Sequence, residues 1–460
     1  MLRSSLLRRL ATPLVRRLQR HRPSLLVLHA GDHKTGSTSI QASFAHGISF
    51  GGKKVLYPGK MSHNGFASSL KSIERQARQG TPQPKHQKKV ASFGTLIAQN
   101  SARYKLLSAE GLEGVAPATL AQALAEHFTG SDKLRIVSYV RPHATRLLSN
   151  YSEQVKIGKF AGSLEEYFAK VDRAERLDYA PRFNAWRHEF GQAFLLRPFL
   201  RSELKNGSIL EDFTQTAFGK RPDSIPDLPP ANSSLCVEDL MRLKVLQSHQ
   251  RNRPQLMRHA LGWEFARQIA LLPPPSSRTA LHLPRALAEA VHARYRDDAT
   301  ALDIAFFNKR PLMLSALEQA VDEAPTEAIS TDPRDYFDAE EMRSLELMSD
   351  MVTSLLDTPD VDWARHLRQQ RLNQDADTKP RKKPARKTGA GKAKPKAGKR
   401  RPKGRTGSAE QAQTGVEPKR RAPKAAQGPG RKAGAGKSAA AKGGRKGAAK
   451  KKGSKKAQHT

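Results

Sequence analysis

Strand-length apolar runs alternate with helix-spaced apolar residues over most of this chain. Leu25 to Leu28 is such a run, and it stops at Gly31. A polar loop, Asp32 to Thr38, follows. Apolar residues then return at helical spacing, Ile40 and Phe44, with Gly47 as a stop. Lys54 to Pro58 reads as a short second strand ended by proline. Residues 59–90 are rich in Ser, Gln, Gly, Lys and His and read as a mobile loop leading into a helix. Lys105 to Glu110 is a third strand with Glu110 at its end. Leu134 to Val140 is a fourth, followed at once by Arg141, by Pro142 where a helix begins, and by Leu147, Leu148, Tyr151 and Val155 on one helical face. Phe194 to Phe199 is a fifth strand, and Ile209 to Phe213 begins the helix after it. Apolar strands separated by helices predict an α/β fold, a parallel sheet with helices on both faces. Asp338 to Leu356 and Trp363 to Leu372 read as two further helices, joined by Thr358-Pro359-Asp360, in a packing subdomain.

Charge divides the chain. Its formal net charge is +38, and Lys379 to Thr460 holds 29 Lys+Arg against 2 acids, a net of +27 that leaves +11 for the remainder. From residue 376 the chain is Lys, Ala, Gly, Pro and Arg with no aromatic and no apolar period, so burial cannot offset its chain entropy and disorder is expected. Such a run suits nucleic acid or another polyanion, bound through phosphates without sequence reading; a solubilising tail with no dedicated partner is the alternative. Residues 1–23 carry seven arginines and no acid, a basic extension without the long apolar core of a secretory signal. The single cysteine, Cys236, excludes an internal disulfide and suits a reducing compartment. No apolar run reaches the length of a membrane span. A cytoplasmic protein is the expectation, with the basic ends offering contact to a membrane surface or the nucleoid.

The chemistry concentrates in the Asp32–Thr38 loop. A strand, a tight loop and a helix N-terminus aim backbone N–H groups at one point, and a phosphate or other oxyanion is the natural occupant. Lys34 adds a positive charge, and Ser37 and Thr38 add hydroxyl donors. In the common nucleotide-triphosphate loop the lysine follows the second glycine. Here Gly31-x-x-Lys34-Thr35-Gly36-Ser37-Thr38 places it before.

That order resembles the 5′-phosphosulfate loop of sulfotransferases that use 3′-phosphoadenosine 5′-phosphosulfate (PAPS). The match to their bacterial branch runs from His29 through Ser39. Arg141 at a strand end, with Ser149 eight residues on, resembles the family's 3′-phosphate site, where a guanidinium fork can take two oxygens of a phosphomonoester. Ser108-Ala109-Glu110 matches a bacterial Ser-x-Glu. Gln154 to Gly158, Leu177 to Arg182, Trp186 and Asn232 to Leu235 extend the resemblance over about residues 24–310. It implies a P-loop-like, three-layer α/β fold and transfer of a sulfuryl group from PAPS to an acceptor hydroxyl or amine, carbohydrate and lipid among the candidates, with no metal required. It also implies roles. Lys34 neutralises charge on the bridging and leaving oxygens. Thr35, Gly36, Ser37, Thr38 and Ser39 hold the 5′-phosphate. Arg141 and Ser149 hold the 3′-phosphate and select PAPS over ATP. Glu110, or else His33, is the base. Glu110 as a first-turn helix acid is the alternative.

Two family features are missing. Ser39 stands where the animal cytosolic enzymes carry an adenine-stacking tryptophan. The only Arg-Lys-Gly string, Arg445 to Gly447, lies in the low-complexity tail. Tyr151, Tyr179 and Trp186 are expected in the core rather than in an acceptor pocket. The expected organisation is a basic extension (1–23), the catalytic domain (24–310), a helical extension packed on it (311–375) and the tail (376–460). A nucleotide-dependent kinase, or a polyanion-binding protein acting through the tail, are the other function classes.

Overall fold

The computed structural model describes residues 23–59, 61–81, 84–226, 235–273 and 278–377. The basic N-terminal extension up to residue 22, the cationic tail from 378 and residues 232–234 of the Asn232 to Leu235 match lie outside them.

β1 (Leu25–His29) leads through the polar loop into α1 (Ser37–His46), which ends at Gly47 in the left-handed region. A small hairpin, β2 (Ser49–Phe50) and β3 (Lys53–Lys54), follows, then α2 (Asn64–Gln79) and α3 (Pro84–Gln99). β4 (Tyr104–Ser108) runs into a 3₁₀ turn (Glu110–Gly114) and α4 (Pro117–His127). β5 (Lys133–Val140) precedes α5 (His143–Lys156), α6 (Leu164–Arg173) and α7 (Tyr179–Phe190), and β6 (Phe194–Pro198) precedes α8 (Ile209–Phe218). Six more helices complete the described chain: α9 (Val237–His249), α10 (Gln255–Ile269), α11 (Arg285–Phe306), α12 (Leu312–Asp322), α13 (Ala339–Leu356) and α14 (Trp363–Asp377).

The four long strands form one parallel sheet in the order β4-β1-β5-β6. His29 lies beside Ser108 on one side and Val137 on the other, so β1 and β4 end level while β5 runs on to Val140 before delivering Arg141. The sheet is buried on both faces, as parallel sheets are. Leu26, Leu28, Leu107, Ile136 and Val140 face the larger core. Val27, Leu106, Val137 and Tyr139 face a second core, closed by Ile40 and Phe44 of α1 and by Phe213 and Phe218 of α8. Helices, sheet, helices: three layers follow from this alternation of side chains.

Two expectations need correction. The described residues of 59–90 are mostly helix, not loop. They hold all of α2 and the start of α3, with Phe66, Ala67 and Leu70 buried at helical spacing and Ile73 packed against the same core. Few apolar residues are spread thinly there among Ser, Lys and Gln, so the helical period is faint. Nor is Lys54 to Pro58 a full strand. Only Leu56 bridges to β4: its N–H donates to Tyr104 O at 2.9 Å and its carbonyl accepts from Leu106 N at 2.9 Å. Pro58 has no N–H to carry the ladder further.

α12 reaches the main core through Met313 and Leu317, and α13 through Met342 and Leu345. Asp338 caps α13 with a reciprocal box to Glu341, which sets its start. α3 and α4 approach closely at Gly94, where an added Cβ would lie 2.0 Å from the His127 carbonyl oxygen. Backbone cannot swing aside as a long side chain can. Gly94→Ala is therefore expected to cost about 1–3 kcal/mol or more, seen as a lowered urea midpoint at unchanged slope. A wild-type midpoint would refute this packing.

Candidate functional site

The connection leaving β1 leads to β4 on one side of it, and the connection leaving β5 leads to β6 on the other. The carboxyl ends of β1 and β5 therefore flank a switch point, where open α/β sheets bind their ligands. The polar loop leaves β1 there, and Arg141 is the first residue after β5.

The loop is a tight, preformed turn. Lys34 (φ 68°) and Gly36 (φ 77°) both adopt the left-handed conformation, uncommon for a lysine. Thr35, fully buried, donates its hydroxyl to Asp32 O at 2.7 Å. At Gly31 an added Cβ would meet the Ser37 hydroxyl at 2.5 Å and the His29 ring at 3.2 Å, so the chain must be bare there. Ser37 Oγ is buried with no hydrogen-bond partner among the described residues. Gly36 caps α1, and its carbonyl accepts from Ser39 N (3.0 Å) and Ile40 N (3.3 Å). The Ser39 amide is thus already engaged in the helix, which leaves the amides from Gly36 to Thr38 as the natural anion donors.

A stripe on α5 faces this loop. Arg146, Ser149, Glu153 and Lys156 recur at three- and four-residue intervals, which puts them on one helical face. Arg146 Nη2 reaches Asp32 Oδ1 at 3.2 Å, and Glu153 Oε2 accepts from Lys34 Nζ at 2.6 Å. Ser149 lies between these two contacts and so on the loop side. Lys156 Nζ also reaches Glu153 Oε2, at 2.6 Å, and stacks 3.9 Å from the centre of the Trp263 ring of α10. Burial raises the Glu153 carboxyl, but the charges and hydrogen bonds of Lys156 and Lys34 outweigh it and hold the group below the ordinary carboxylate range.

Arg141 closes the other side. Its guanidinium lies 5.2 Å from the centre of the Phe199 ring. The same ring is 3.3 Å from where a Gly36 Cβ would stand. Phe199 therefore seats Arg141 next to the loop, and the absence of a side chain at Gly36 lets the aromatic in. Burial lowers the Arg141 pKa, with the neighbouring Arg146 charge adding to it, and both effects make an anionic partner favourable.

The two expected bases sit together. His33 Nδ1 is 3.4 Å from Glu110 Oε2, and the His33 N–H donates to Glu113 Oε2 at 3.2 Å. The hydrogen bond to Glu110 raises His33, against burial and aided by the Glu113 and Glu110 charges. Burial raises Glu110, but the hydrogen bond and charge of His33, with His29 and Lys34, bring it below the usual range. Each member of the pair favours the charged form of the other.

Behind the loop lies a buried quartet that the sequence did not single out. Arg182 Nη2 meets Asp32 Oδ2 at 3.3 Å and its Nη1 meets Glu113 Oε1 at 2.9 Å; Arg146 Nη2 meets Glu113 Oε1 at 3.3 Å. Burial pushes Asp32 up to about 6 despite the Arg146 charge, whereas in Glu113 the two guanidinium charges overcome burial and the carboxyl falls well below its usual range. The adjoining cavity, lined by Ala30, Ser138, Phe183, Trp186 and Phe194 beside the quartet, has about 10 Å³, room for about one water. Tyr151, Tyr179 and Trp186 are buried core residues, as expected of them.

His29 ends β1 beneath the loop. It is fully buried, with Nδ1 2.8 Å from Ser108 Oγ, and burial lowers its pKa to about 4 although the Glu110 charge works the other way. The unfolded chain takes up a proton near the ordinary value of 6.5, and the folded one does not until about 4. This contribution to stability is therefore complete above pH 6.5 and lost as pH falls toward 4. Wild type should lose on the order of 2 kcal/mol more than His29→Gln between pH 7 and pH 5 in urea unfolding. Equal losses would show that His29 is protonated in the fold.

The structure thus defines a parallel α/β protein with a lysine-bearing strand–loop–helix at its switch point, a turn whose free amides suit an oxyanion. No protein-family model matches the chain, and a search of curated proteins finds no match. Among solved structures the chain is similar to a sulfotransferase from Alicyclobacillus acidocaldarius, at 15% identity over 65% of this chain and 99% of that one, with a TM-score of 0.37.

Proposed function

We propose that the protein is a sulfotransferase that moves the sulfuryl group of PAPS to an acceptor hydroxyl or amine. One observation carries this reading: the Lys34 loop and Arg141 flank the same β1–β5 crevice, with Ser149 on the α5 face turned to the loop. A donor with phosphate groups at both ends of its ribose suits two cationic ends held by rigid elements. The Gly36–Thr38 amides and the Ser37 and Thr38 hydroxyls bind the 5′-phosphate, and Arg141 and Ser149 bind the 3′-phosphate. The acceptor oxygen attacks sulfur, the bridging S–O bond breaks, and Lys34 stabilises the charge that grows on the leaving oxygen. Glu110, backed by His33, takes the acceptor proton.

Incubation of the full chain with PAPS and a panel of phenolic, carbohydrate and amine acceptors tests this. The expected result is acceptor-dependent release of 3′,5′-adenosine bisphosphate. ATP consumption without PAPS turnover would support the kinase reading instead.

We propose further that residues 24–310 form the catalytic domain and that the tail, outside the described residues, binds polyanions through its +27 charge. Truncation after Gln374 should abolish most heparin retention at low salt and leave transfer to a small neutral acceptor near the full-length rate. Unchanged retention would place the basic surface on the domain.

A further inference from the structure

The Lys34–Glu153–Lys156 arrangement is more than a surface ion pair. One carboxylate oxygen accepts from two ammonium groups at 2.6 Å each, and the three side chains are 24%, 17% and 9% exposed. Glu153 stands on the loop-facing stripe of α5, one turn beyond Ser149. Lys156 is held in place from the far side by the Trp263 ring. A single carboxylate oxygen between two cations is the arrangement that an oxygen of a sulfonate or phosphate would adopt there.

We infer that Lys156 is a second cation of the anion site and that Glu153 is its built-in counter-ion, a carboxylate that holds Lys34 and Lys156 until an oxyanion of the donor takes its place. This rests on the donor site proposed above, and it adds two residues to it. The consequence is selectivity. With Glu153 present the three groups sum to a single positive charge, and an incoming anion must compete with a carboxylate already seated on Lys34. A weak monoanion competes poorly, whereas a group with several charged oxygens, tethered to an adenosine that binds elsewhere, can displace it. Without Glu153 the site carries two positive charges and no competitor. A purely structural Glu153 would have the opposite effect: its loss would loosen Lys34 and weaken anion binding.

Titration calorimetry of the full chain with inorganic pyrophosphate separates these cases, because pyrophosphate carries two linked tetrahedral oxyanions and needs no adenine site. Glu153→Gln is expected to bind pyrophosphate about tenfold more tightly than wild type, corresponding to about 1.4 kcal/mol. Adding Lys156→Gln should remove that gain, and Lys156→Arg in its place should retain it, since the charge and the stacking on Trp263 both persist. Thermal melts of each variant confirm that it is folded. If Glu153→Gln binds pyrophosphate with unchanged or weaker affinity, the counter-ion inference is wrong. If Glu153→Gln gains affinity but the double variant keeps the whole gain, Lys156 is not part of the site. Failure of wild type to bind 3′,5′-adenosine bisphosphate would instead overturn the sulfotransferase reading, so the two failures are distinguishable.

Discussion

Lys34→Ala is expected to lower kcat for sulfuryl transfer by about 10²–10³-fold, the usual consequence of removing one group that stabilises charge only in the transition state. The side chain projects from a loop, fills no core and meets one carboxylate, Glu153. Its removal leaves Glu153 paired with Lys156 at 2.6 Å, so no buried charge is stranded. Alanine suffers the same left-handed backbone strain as lysine at φ 68°, so the loop should keep its shape. Tm is therefore expected to change little while turnover collapses. A variant that melts like wild type and turns over like wild type would remove Lys34 from the mechanism.

Arg141→Ala should act on recognition rather than on chemistry. A guanidinium already stripped of water by Phe199 and its surroundings gains fully from a phosphomonoester. A charged hydrogen-bonding contact of that kind contributes about 1.5–3 kcal/mol, or roughly 10- to 150-fold in Kd. The loss should fall on 3′,5′-adenosine bisphosphate and spare 5′-AMP, which has no group for Arg141 to hold. KM for PAPS should rise by a similar factor. Equal weakening of both nucleotides would mean that Arg141 serves the 5′ end or the fold.

How much of this was readable from the sequence depends on how local each feature is. The β1 loop was legible because its strand, turn and helix follow one another within some twenty residues, and each is marked by composition: an apolar run, Gly31 and Gly36, then Ile40 and Phe44. Arg141 was legible for the same reason, as an arginine directly after a clean strand. The partners of these residues were not legible. Lys34 and Glu153 are 119 positions apart, and Asp32 and Arg182 are 150 apart; only the fold brings them together. The residues Arg146, Ser149, Glu153 and Lys156 stand at helical spacing, but charged residues at that spacing usually mark a solvated face, and nothing local says that a loop covers this one. The segment 59–90 hides its helices because polar residues dominate α2 and its apolar face is only three or four side chains wide. Glu110 was expected at a strand end; β4 stops at Ser108 and Glu110 opens a short 3₁₀ turn, close enough to meet His33.

The central claim is that two separate cationic ends of one crevice hold the two phosphate ends of the donor. Calorimetric titration of the full-length protein with 3′,5′-adenosine bisphosphate and, separately, with 5′-AMP tests it most directly. The account predicts saturable one-to-one binding of the bisphosphate, at least tenfold tighter than that of AMP, together with a Tm rise that grows with bisphosphate concentration as expected for a ligand bound only by the native state. Binding of the two nucleotides with the same affinity, or of neither, would contradict it.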